Sequence, residues 1–148
     1  MTLALPHTHP PLPLLVEPIV RRALEEDLGR AGDITTDFTV PAENRARAVI
    51  AARQAGAISG LIAAECAFRL LDTSVRMMVR APDGSTVAKG DVIAELEGPA
   101  RAILTGERTA LNFLGHLCGV ASAARALVDR VAGTKARITC TRSRSPMR

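Results

Sequence analysis

The spacing of apolar residues changes at Pro99, and that change limits the fold more than any other feature of this 148-residue chain. Between Arg45 and Pro99 short runs with apolar residues at every second position, cut by Gly and Pro, dominate around one helical segment; after Pro99 apolar residues recur at every third or fourth position throughout. The first spacing lines one face of a strand, the second one stripe of a helix. Ala46, Ala48, Ile50 and Ala52 alternate with Arg45, Arg47, Val49 and Arg53, which predicts a half-buried strand over residues 45–53. Val75–Arg80 reads as a second strand, and Val87 and Val92–Leu96 as shorter ones. Pro82-Asp83-Gly84 and Lys89-Gly90-Asp91 supply turns, and Gly98-Pro99 closes the series. Gly56 and Gly60 bracket a short apolar step ahead of a helix over Ala63–Leu71.

Beyond Pro99, Ile103, Leu104, Leu111, Leu114, Leu117 and Val120 keep helical spacing. A second helix is expected over Ala121–Val131, with Gly133 as its C-cap, and then a buried strand over Ala136–Cys140. At the other end, Pro6, Pro10, Pro11 and Pro13 predict a disordered leader over residues 1–13. A helix over Val16–Leu28 follows, with Pro18 expected in its first turn. Glu25, Glu26 and Asp27 crowd the end of that helix, where its dipole disfavours carboxylates. Gly29 to Pro41 reads as a connection, and Glu26, Asp27, Asp33 and Thr35 as structural residues holding turn amides.

Composition narrows the function. The net charge is +4 but the charges are interspersed, and aromatic residues make up 2%: Phe38, Phe68 and Phe113. Without stacking platforms, single-stranded nucleic acid is not expected as a partner. No purely apolar run approaches the roughly 20 residues of a membrane span, and the leader lacks a basic start, so a cytoplasmic protein without membrane contact is expected. Cys66, Cys118 and Cys140 are odd in number and lack CxxC spacing, which suggests reduced thiols. His116 has no set of companion ligands, so no metal site is expected within the chain; it reads as a packed helix residue. Gly115 and Gly119 would let another helix approach, while Glu107, Arg108 and His116 argue against a membrane dimer motif. Residues 82–94 look like a hairpin of biotinyl and lipoyl carriers with Lys89 near its tip, but the Met-Lys pair is absent and long helices follow, so that segment is read as structural.

Several landmarks then fall in a definite order: Glu26-Asp27-Leu28-Gly29, Gly32-Asp33-Ile34-Thr35-Thr36, Gly56, Ser59-Gly60, Gly106-Glu107-Arg108-Thr109-Ala110-Leu111-Asn112, Cys118-Gly119-Val120-Ala121-Ser122 and Thr141-Arg142. In this order they resemble the quinolinate phosphoribosyltransferase family of NAD biosynthesis. The resemblance implies an α+β fold: an N-terminal open-faced β-sandwich (hammerhead-like) domain with helices, then long helices and the first strand of an incomplete α/β barrel. On that basis residues 14–99 form the sandwich domain, residues 100–142 lead into the barrel, and residues 143–148 form a divergent basic tail.

The resemblance also implies a pentosyltransferase chemistry. The phosphoribosyl group of phosphoribosyl pyrophosphate would pass to quinolinate, with decarboxylation to nicotinate mononucleotide. Magnesium would accompany the pyrophosphate substrate, with ligands outside this chain. Subunits would pair as a homodimer or larger assembly, the sandwich of one covering the barrel mouth of the other. The family's Glu-Arg motif falls on Glu107-Arg108, and its Thr-Arg-Lys-Thr motif on Thr141 and Arg142, with Ser143 in the lysine's place. Arg108, Thr141 and Arg142 are therefore the expected substrate-binding residues, and no catalytic residue is assigned. Asn112, one turn beyond Arg108, shares its face. The chain covers about the first half of a family member and departs from the pattern after Arg142, so it reads as truncated and inactive by itself. A molybdenum-transport-associated homologue and a non-catalytic dimerisation fragment are the alternatives.

Overall fold

The structure is a computed structural model that describes residues 11–139. Its elements run α1 (Pro13–Leu28), α2 (Ile34–Thr39), β1 (Arg45–Ala51), β2 (Gly56–Ala57), α3 (Leu61–Leu71), β3 (Arg76–Val79), β4 (Thr86–Val87), β5 (Val92–Pro99) and α4 (Ala100–Arg130). β5 is the centre of an antiparallel sheet ordered β1-β5-β3, in register from Arg45 opposite Pro99 to Ile50 opposite Ala94, with a register shift that brings Ala51 opposite Val92. β2 and β4 form a separate two-stranded ribbon. The alternation predicted for β1 is the observed one: Ile50 is buried, while Arg45, Arg47 and Val49 are exposed. One face of the sheet is thus packed under helices and the other is open. The open face carries Arg80 paired in a bidentate manner with Glu95, at 2.9 and 3.0 Å, and Arg47 beside Glu97 at 3.5 Å. This is the open-faced arrangement of strands and helices expected from the resemblance.

The core lies between the sheet and helices α1, α3 and α4. Val20, Ile50, Ala64, Phe68, Ala94, Leu96, Ile103, Ala110 and Leu114 are among its buried members. Each turn expected between the strands is present and tied to a neighbour. The amide of Gly84 donates to Ile58 O at 2.8 Å, and that of Gly90 to Ala52 O at 2.8 Å. Both glycines have positive φ, which a tight turn requires. Lys89 sits in the second turn as a structural turn residue.

Several expectations need correction. Pro13 takes the first helical turn, and Pro18 lies inside α1, where its missing N–H leaves one helical carbonyl without its donor. The segment expected as a connection holds α2, nucleated by Asp33 as its N-cap. α3 starts at Leu61, two residues earlier than expected, and β5 continues through Gly98 to Pro99. The two expected helices after Pro99 are one, α4, because no proline or cap interrupts residues 119–122. Along it Leu114 is buried and Leu117 is half-buried against Gly60, while Leu104 and Leu111 are exposed. Residues 136–139 carry no strand: a strand needs an edge to pair with, and none of the described strands offers one there. Residues 1–10 and 140–148, with Cys140, Thr141, Arg142 and the basic tail, lie outside the described residues.

α4 has 31 residues and is long and apolar enough, by length and composition, to cross a bilayer. Its first half is taken up by the core through Ala102, Ile103, Gly106, Ala110 and Leu114. Its second half is exposed, with Val120, Leu127 and Val128 on the surface. Packing also runs across the junction at Pro99, since α3 and the sheet both lie against α4.

Gly106 is where α3 and α4 meet. A Cβ there would lie 2.8 Å from Phe68 Cδ1 and 3.1 Å from Leu71 Cδ1. At Gly115, in the same helix, a Cβ would meet nothing within 4 Å. Gly106→Val is expected to lower stability by about 1–3 kcal/mol through overpacking. Gly115→Ala should raise it by about 0.5–1 kcal/mol through helix propensity alone. Urea unfolding midpoints of the two variants check this pair of opposite signs.

Candidate functional site

One stripe of α4 is polar where its neighbours on the helix are buried. Arg101, Thr105, Arg108 and Asn112 are spaced four, three and four residues apart and so share a face. The ends of α1 and α2 arrive opposite this stripe, and each side chain of the first three positions reaches one of them.

Arg101 clamps the end of α2. Its Nε donates to Val40 O at 2.8 Å, Nη2 to Asp37 O at 3.0 Å and Nη1 to Asp37 Oδ1 at 3.2 Å. Thr105 Oγ1 donates to Asp33 Oδ2 at 3.0 Å. Asp33 also accepts from the Thr36 amide at 3.0 Å and from the Thr36 hydroxyl at 2.5 Å, so one carboxylate caps α2 and ties it to α4. These bonds favour the charged form. The Thr36 hydroxyl and amide, then the Thr105 hydroxyl and the nearby Arg108 charge, hold the Asp33 carboxyl below its ordinary value against a smaller effect of desolvation.

Arg108 Nη1 donates to Asp27 Oδ1 at 2.9 Å. The two partners are unlike: the arginine side chain is 76% exposed, the aspartate side chain 21%. A cleft of about 630 Å3 opens along this line, bordered by Asp27, Asp33, Thr35, Thr105, Arg108 and Asn112. A second, of about 450 Å3, lies beside it between Glu26, Asp27, Asn112 and His116. The structure therefore brings Arg108 and Asn112 to one cleft, as expected. His116 is exposed at the neighbouring cleft rather than packed. Of the acids read as holding turn amides, Asp33 does so, while Asp27 holds a guanidinium instead. The pair joins positions 81 residues apart. The crowding of acids at the end of α1, with no basic residue in its last turn, was the available signal.

Chemically, this face offers one exposed guanidinium with donors to spare, and hydroxyl and amide groups beside it. Guanidinium groups recognise planar carboxylates and phosphates through paired bonds. Among the described residues no group of three or more His, Cys, Asp or Glu is placed to hold a metal ion, so they do not fit a magnesium ligand set. Cys66 and Cys118 are free thiols, and burial pushes the Cys66 thiol up, which disfavours its thiolate form.

Comparison with known proteins bears on this face. The sequence model described as "Quinolinate phosphoribosyl transferase, N-terminal domain" matches residues 33–118. A nicotinate-nucleotide pyrophosphorylase [carboxylating] of Mycobacterium leprae is 39% identical over 132 residues, 86% of this chain and 45% of that protein. A probable nicotinate-nucleotide pyrophosphorylase [carboxylating] of Bacillus subtilis is 37% identical over 121 residues, 82% of this chain and 41% of that protein. Among solved structures, NadC from Streptococcus pyogenes superposes with a TM-score of 0.81 at 32% identity, over 84% of this chain and 44% of that one. The chain thus spans less than half the length of these relatives.

Asp33 yields a prediction on stability. Its folded-state pKa is depressed, so its contribution is present above the ordinary carboxylate value and is lost as pH falls through the folded value. Asp33→Ala should cost about 1 kcal/mol at neutral pH, as loss of an N-cap does. Asp33→Asn should keep most of the cap but not the pH dependence. Urea unfolding across an acid series should show the wild-type chain and Asp33→Asn converging at low pH, and parallel curves would contradict this account.

Proposed function

The chain belongs to the quinolinate phosphoribosyl transferase family through its N-terminal domain, and from that membership we propose that it serves the transfer of a phosphoribosyl group to quinolinate. Phosphoribosyl pyrophosphate is the donor, carbon dioxide and pyrophosphate leave, and nicotinate mononucleotide is the product. The observation that carries this reading is the Arg108 guanidinium, exposed on α4 and held at one nitrogen only. Quinolinate is a planar dicarboxylate, and the free edge of Arg108 matches one of its carboxylates.

A single arginine is a binding contact and not a complete site. In our reading the face around Arg108 closes over the barrel of a second subunit in a homodimer, and Thr141 and Arg142 are further contacts to the same substrates. Arg108 then binds and orients the pyridine ring, and closure of the two surfaces excludes water. Magnesium, bound with the pyrophosphate group, would offset charge on the leaving group. The free thiols Cys66 and Cys118 suit a reducing compartment, and we assign the protein to the cytoplasm.

A chimera tests the reading: residues 11–139 replacing the matching part of the Mycobacterium leprae relative. It is expected to form nicotinate mononucleotide from quinolinate and phosphoribosyl pyrophosphate, while the 148-residue chain by itself shows no turnover. Arg108→Ala in the chimera should cost about 2–5 kcal/mol in kcat/KM for quinolinate, because a carboxylate loses its charged partner. Arg108→Lys should fall between, keeping the charge without the paired geometry. Thermal unfolding should be unchanged in both. Unaltered quinolinate kinetics in the alanine variant would return Arg108 to an ordinary surface charge.

A further inference from the structure

Arg108 is too exposed for packing to fix its side chain. An arginine in that state samples many rotamers, and a ligand must then bear the loss of that freedom. What restrains it here is Asp27, whose carboxylate is largely covered and accepts from Nη1 at 2.9 Å. We propose that Asp27 is a positioning residue: it orients the Arg108 guanidinium so that the edge bearing Nε and Nη2 faces the cleft, ready for a planar carboxylate. The proposal deepens the functional reading above and rests on it.

Two independent features support it. Asp27 is at the next-to-last position of α1, where the helix dipole disfavours a carboxylate, and no basic residue stands in that last turn to compensate. Such a placement is explained by a cation arriving from elsewhere, and Arg108 of α4 is that cation. The bond pattern is also one-sided. Arg80 commits its Nε–Nη2 edge to Glu95, whereas Arg108 gives Asp27 a single Nη1 bond and leaves that edge free of any partner among the described residues. Exposed ion pairs contribute little to stability, so the consequence of this contact lies in orientation.

The test uses the full 148-residue chain, with nitrogen-15 NMR of the Arg108 Nε–H group and quinolinate as the probe. Arg108→Ala assigns the signal. In the wild-type chain the group should show restrained motion, and quinolinate at high concentration should shift its signal. Asp27→Asn should free the side chain and weaken the apparent quinolinate affinity about two- to fivefold, the range open to an exposed pair. Asp27→Glu should restore much of both, and the melting temperature should not move in either variant, which a merely structural role would not produce. A side chain equally ordered in wild type and Asp27→Asn, one already free in the wild type, or tighter quinolinate binding in Asp27→Asn would overturn the proposal. Failure of the functional reading looks different: quinolinate leaves the wild-type Arg108 signal unmoved while Asp27→Asn still frees the side chain.

Discussion

The close approach of α4 to α3 at Gly106 sets the position of everything that matters for function. A Cβ at this position would come within 2.8 Å of Phe68 Cδ1, so the two helices pack at a distance that only glycine allows. Other contacts hold the same helix along its length. The Ala100 amide donates to Asn44 O at 2.8 Å, and Ser122 Oγ accepts from the Ala57 amide at 2.9 Å. Gly56 and Gly60 give the space for Ser122 and Leu117. A long helix fixed at its start, middle and second half cannot rotate, and its polar stripe therefore faces α1 and α2 in one register only.

That stripe is where apolar packing gives way to polar bonding. α2 has little apolar attachment: Phe38 is 86% exposed and Ile34 is also on the surface. Instead, Asp33 and Arg101 tie both of its ends to α4. A six-residue helix is too short to persist without outside support, so these bonds decide whether the wall of the Arg108 cleft exists. Stability and the candidate site are linked here through Thr105, which sits on the same face as Arg108.

The sequence showed some of this and hid the rest for identifiable reasons. β1 was legible because Ala46, Ala48 and Ile50 alternate with exposed partners, and a period of two has one structural meaning. α2 was not, because its apolar residues are exposed and leave no burial period; only Asp33 marked its start, and the same residue type marks a turn. The unity of α4 was hidden by Gly119 and Ser122, which weaken a helix without stopping it. Arg108 entered through a family resemblance, since a lone arginine beside Glu107 on a helix carries no functional signal of its own. Its pairing with Asp27 was beyond reach because it depends on how α1 crosses α4. Thr141 and Arg142 rest on that resemblance alone.

The charges around Arg108 have a further meaning for how such a site works. Glu26, Asp27, Asp33 and Glu107 each line one or both of the two clefts, so carboxylates outnumber the one guanidinium along them. A dianion approaching this face alone meets a surplus of like charge, and Asp33 is held in its charged form by its bonds to Thr36. On the function proposed above, this face would serve to orient the ligand, and a second, positive surface would supply most of the affinity. Such a division would favour catalysis, because a lone face that held the substrate tightly would stabilise the ground state without improving the transition state.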